Sequence, residues 1–99
     1  MKIVLNKKYG GFGMSAKAFE ELTRRKIANG TWEHEQSIYS LERHDPDFIS
    51  IVEELGAEVN DCFSRLKIFE IPDGVDYEIE EYDGVEWASE KHQTWGKYE

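Results

Sequence analysis

Gly11-Phe12-Gly13-Met14-Ser15-Ala16 reads G-x-G-x-x-A. It stands between an apolar run (Ile3, Val4, Leu5) and a helix-forming run that begins after Ser15. Glycines at such spacings let a backbone approach a pyrophosphate, and the free N–H groups of a helix start attract anions. Lys8 supplies positive charge beside the loop, and Tyr9 or Phe12 supplies a ring on which a base could stack. The residues that would hold such a ligand are Lys8, Tyr9, Gly10, Gly11, Phe12, Gly13 and Ser15. Arg24 and Arg25 add guanidinium groups able to pair with phosphate in two-pronged fashion. His92 and Trp95 form the next candidate surface, and Glu33 lies near where a ribose-binding acid would be sought. A complete dinucleotide fold needs two βαβ halves, for which 99 residues leave no room. The expectation is therefore a looser anion or nucleotide loop. The competing reading is a plain turn in which the glycines adopt positive φ.

Other chemistry has little support. His34, His44 and His92 show no H-E-x-x-H spacing, and Cys62 is the lone cysteine. Cys62 therefore makes no internal disulfide and is expected as a small core residue. No metal, no cofactor and no catalytic residue is assigned, and the chain is expected to be non-enzymatic.

Charge divides the chain. Residues 1–30 hold seven Lys or Arg against two acids, a net +5, whereas the remainder holds five against nineteen, a net −14. The stretch from Glu70 to Glu90 carries nine acids and no base. Such a surface repels nucleic acid directly, because phosphate binding needs a positive field. It leaves two partners: a small anion held by the basic third, or a protein met by an acidic body that imitates a polyanion. A merely solubilising face is the third possibility. Apolar runs reach only three residues, so no segment is long enough to span a membrane. The expected location is the cytoplasm.

These residues need elements to position them. Lys2–Asn6 reads as a strand. Ser15–Asn29 reads as a helix, with Ser15 as N-cap and Gly30 as the stop. Thr31–Leu41 is ambiguous. Asp45-Pro46 opens a second helix in which Ile49, Val52, Leu55 and Val59 recur at helical spacing, ending near Asn60-Asp61. Leu66–Ile71 and Val75–Glu80 alternate about Pro72-Asp73-Gly74 and predict a hairpin, with a further turn at Asp83-Gly84. Trp87, Lys91 and Trp95 are spaced by four, which predicts a short terminal helix. The sum is one α+β domain over 1–99: a small mixed sheet, two main helices on one face, a C-terminal β-hairpin and a short terminal helix.

In the segments MKIVLNKKYGGFGMS, IVEELG, LKIFEIPD and YDGVEWASEKHQTW, the chain resembles a group of small proteins encoded by bacteriophages and prophages. That resemblance implies an accessory role against host defences in the host cytoplasm, through sequestering a nucleotide-derived signal or binding a host defence protein. In a protein this small an enclosed pocket is best built between protomers, so a homo-oligomer is expected.

Overall fold

The computed structural model describes residues 1–31, 41–90 and 93–96. The elements run β1 (Lys2–Asn6), α1 (Ala16–Ala28), α2 (Pro46–Leu55), a 3₁₀ turn (Gly56–Val59), β2 (Leu66–Glu70), β3 (Glu78–Tyr82), β4 (Val85–Glu90) and β5 (Gln93–Trp95). Both helices begin where the sequence places them. The Ser15 side chain accepts from the N–H of Ala18. The Asp45 side chain accepts from Asp47 and Phe48, with Pro46 in the first turn, where its missing N–H is not needed.

The architecture is α+β, with the strands in two antiparallel sheets rather than one mixed sheet. β1 pairs with β2, from Lys2 opposite Glu70 to Asn6 opposite Leu66. β3, β4 and β5 form the second sheet in that order. The hairpin expected about Pro72-Asp73-Gly74 is therefore not formed. β2 turns instead to the start of the chain, and the hairpin closes at Asp83-Gly84, joining Tyr82 to Val85. The terminal helix expected over Trp87–Trp95 is also overturned, since β4 and β5 occupy that stretch. Ala88 sits opposite Trp95 in the register.

The β1–β2 ribbon is the middle layer. Val4, Leu66 and Ile68 face α1 and α2, meeting Ala18, Leu22, Phe48, Ile51 and Val52. Ile3, Leu5 and Phe69 face the other way, onto Ala88, Ile79 and Trp95. β1 is thus covered on both sides, which is why it reads as an unbroken apolar run and not as an alternation. Ile3, Val4 and Leu5 are all fully buried. Cys62, expected in the core, is exposed in the turn before β2.

Candidate functional site

The glycine loop leaves β1 through Asn6, whose side chain is fully buried. Its Nδ2 donates to the carbonyls of Lys8 (2.9 Å) and Gly84 (2.7 Å), and its Oδ1 accepts from the N–H of Arg65. One amide thus fastens the loop to the β3–β4 turn and to the start of β2. Gly10 donates its N–H to the Asp83 carbonyl at 2.9 Å. Gly10 and Gly11 have φ of +127° and +117°, a region open to glycine and strained for other residues. A Cβ on Gly84 would lie 2.3 Å from the Gly11 nitrogen, so the turn and the loop touch backbone to backbone. Gly13 is different: it has no positive φ, and a Cβ there would meet the Asp61 carboxylate.

The remaining loop residues are engaged in packing. Phe12 lies edge-on to Phe48 with centroids 5.9 Å apart, and the Arg43 guanidinium stacks 3.7 Å above its ring. Ser15 caps α1 and donates its hydroxyl to the Glu58 carbonyl at 2.8 Å, while its N–H goes to Val59. Lys17 pairs with Glu58 at 2.9 Å, which puts a carboxylate beside the helix start. That start is closed by the chain itself and is not an open anion cradle.

Arg24 and Arg25 sit at the far end of α1, about 14 Å along the axis from Ser15 at 1.5 Å per residue. They are held there by Glu21 and Glu54. Those bonds hold the Arg25 guanidinium above its usual range, the Glu54 contact contributing most. The structure does not bring the two arginines to the loop. Trp95 packs against Ala88 in the sheet-side core and lines neither hollow beside the loop. Glu33, His34 and His92 lie outside the described residues.

The structure brings Arg65 to Lys8, a juxtaposition that nothing local in the chain signals. A groove of about 410 Å³ is lined by Lys7, Lys8, Tyr9, Asn60, Ser64 and Arg65. Lys7 turns its ammonium inward, to the carbonyls of Glu86 and Gly96. Lys8 donates to the Cys62 carbonyl at 3.0 Å, and Arg65 donates through Nη2 to the Lys7 carbonyl at 2.9 Å. Both carbonyls are neutral. Lys2, Lys17, Arg24, Arg25, Lys26 and Arg43 each face a carboxylate, whereas Lys8, Arg65 and Lys67 have no acidic partner among the described residues, and of these Lys8 and Arg65 line the groove. Tyr9, 67% exposed, stands at the groove's edge. On its other side a second hollow is lined by Gly10, Gly11, Glu81, Asp83 and Gly84, and is acidic. An anion is favoured on the Lys8 side and opposed on the Glu81 side.

A larger cleft of about 770 Å³ is lined by Leu41, Glu42, Arg43, His44, Val75, Tyr77 and Ile79, among others. Within it Glu42 Oε2 lies 2.9 Å from His44 Nε2, and His44 Nδ1 lies 2.8 Å from the Tyr77 hydroxyl. Burial holds the Tyr77 phenol above its usual range; Glu42 acts in the same direction and Arg43 against it. Arg43 itself is fixed by both carboxylate oxygens of Glu86. Comparison with known protein families, curated proteins and solved structures finds no match to this chain.

Proposed function

We propose that the protein is a non-enzymatic binding protein for a small phosphate-bearing aromatic molecule of nucleotide type, held in the groove between Lys8 and Arg65. The observation that carries this reading is the convergence of two cations without acidic partners on one groove, beside an exposed ring. Lys8 would meet a phosphate as a point charge and Arg65 through two parallel N–H donors. Tyr9 would stack on the base. Gly10 and Gly11 act by shaping the loop, and Arg24, Arg25 and Trp95 take no part. In the phage setting that the sequence resemblance implies, tight holding without turnover would remove a nucleotide signal from the host. The groove is open, so a second protomer laid across it would complete an enclosure.

The test is calorimetric titration of nucleoside mono- and diphosphates into the protein, with inorganic phosphate as the reference. Hydrogen bonds to charged groups contribute about 1.5–3 kcal/mol each, so Lys8→Ala or Arg65→Ala should weaken binding by roughly ten- to a hundredfold. Tyr9→Ala should erase the preference for the nucleotide over phosphate. Arg24→Ala should change nothing. Binding that survives Lys8→Ala and Arg65→Ala together would sink the proposal.

A further inference from the structure

We propose that the edge of β3, unpaired among the described residues, is a docking strand for an extended Lys/Arg-rich segment of a partner protein, which would join the three-stranded sheet as a fourth strand. The sheet order leaves β3 at the border, and no described residue pairs with its outer side. Unpaired edge N–H and C=O groups are a ready template for another chain. The register fixes which side chains an added strand would meet. Ile79 lies opposite Ala88 and faces the core, so Glu78, Glu80 and Tyr82 alternate on the outer face. All three are exposed, Tyr82 to 68%.

Charge selects the occupant. In the helical half, Glu21, Asp45, Glu53, Glu54 and Glu58 each hold a lysine or arginine. Along the hairpin, Asp76, Glu78, Glu80, Glu81, Asp83 and Glu90 hold none among the described residues. A groove of about 380 Å³ lined by Asp76, Tyr77, Glu78, Ser89 and Glu90 lies at the start of β3 and carries three of these acids. A second copy of this chain is disfavoured there, because β3 against β3 would oppose carboxylate to carboxylate. Nucleic acid is repelled for the same reason. A partner strand with Lys or Arg at alternate positions places its cations over Glu78 and Glu80, while its main chain makes the ladder.

The experiment uses two synthetic peptides with lysine at alternate positions. They are identical except that one carries N-methyl groups on the amides that would face β3. Each is titrated into the full chain at low salt and followed by backbone amide NMR. The unmodified peptide should shift the amides of residues 78–82, and Glu78→Gln with Glu80→Gln should weaken it roughly tenfold. The N-methylated peptide should bind far more weakly, because it keeps the charge and loses the ladder. Equal binding of the two peptides would overturn the proposal in favour of diffuse charge attraction. Absence of shifts on β3 would overturn it as well. Neither result bears on the Lys8–Arg65 groove.

Discussion

The backbone N–H of Asn6 donates to Oε1 of Glu86 at 2.8 Å, across 80 positions of sequence. The same carboxylate holds the Arg43 guanidinium at both oxygens, and Glu86 is only 6% exposed. This one side chain joins β1, β4 and the entry to α2. Removing one member of a buried pair leaves the other charge uncompensated. Glu86→Ala should therefore cost about 3–5 kcal/mol in urea unfolding. The double change Arg43→Ala with Glu86→Ala should cost less than the sum of the two, with a coupling above roughly 1 kcal/mol.

Gly84 and Gly74 should part company on substitution. Both have positive φ, +92° and +77°. Gly74→Ala meets nothing within 4 Å, so only left-handed strain of about 1–2 kcal/mol is expected. Gly84→Ala adds a collision with the Gly11 backbone and should lower the melting temperature considerably more. Equal losses would mean that the loop and the turn are not in contact.

Asp45 joins two roles in one carboxylate. Oδ1 caps α2, and Oδ2 meets the buried Lys26 ammonium at 2.5 Å. Asp45→Asn keeps the cap and removes the charge, whereas Asp45→Ala removes both. Alanine should therefore be worse by about 1 kcal/mol, the usual worth of a cap. Adding Lys26→Met to Asp45→Asn should recover stability, because the buried ammonium is then left with only the longer contact to Asp47, at 3.7 Å, and that weakly paired charge disappears with it.

Tyr77 sets an alkaline limit. A phenol held above its usual range in the folded state keeps its proton more tightly than in the unfolded chain. Its contribution is complete below the unfolded value, about 10, and is lost as pH rises through the higher folded value. Denaturant unfolding over an alkaline pH series should show this loss. Tyr77→Phe should flatten that part of the profile.

Much of the scaffold was legible because its signals are local. Ser15, Asp45-Pro46 and Asp83-Gly84 each act on their own neighbours, and each sits where its chemistry places it. Strand partnership is not local. The alternation of Leu66 and Ile68 does not say whether β2 pairs forward to Val75 or back to Ile3, and packing decided for Ile3. Trp87 and Trp95 fit a helical stripe by spacing alone. In the sheet Trp87 lies beside Glu80, to which its Nε1 donates, and Trp95 faces the core. VEWASE conceals its inward face, because the buried positions are Glu86 and Ala88. The site was half legible: Lys8, Tyr9 and the glycines lie together in sequence, whereas Arg65 reaches them only through the pairing of β1 with β2.

The double-sided burial of β1 also governs how the molecule assembles. Val4 finds its neighbours on both helices and at Leu66, and Ile3 and Leu5 find theirs at Phe69, Ile71 and Ala88. The strand that β1 pairs with lies sixty or more positions further along the chain. Closing such long loops before any contact rewards them slows folding, and the waiting strand is an adhesive segment in the interval. Refolding of the full chain is therefore expected to run more slowly than that of a helical bundle of the same length.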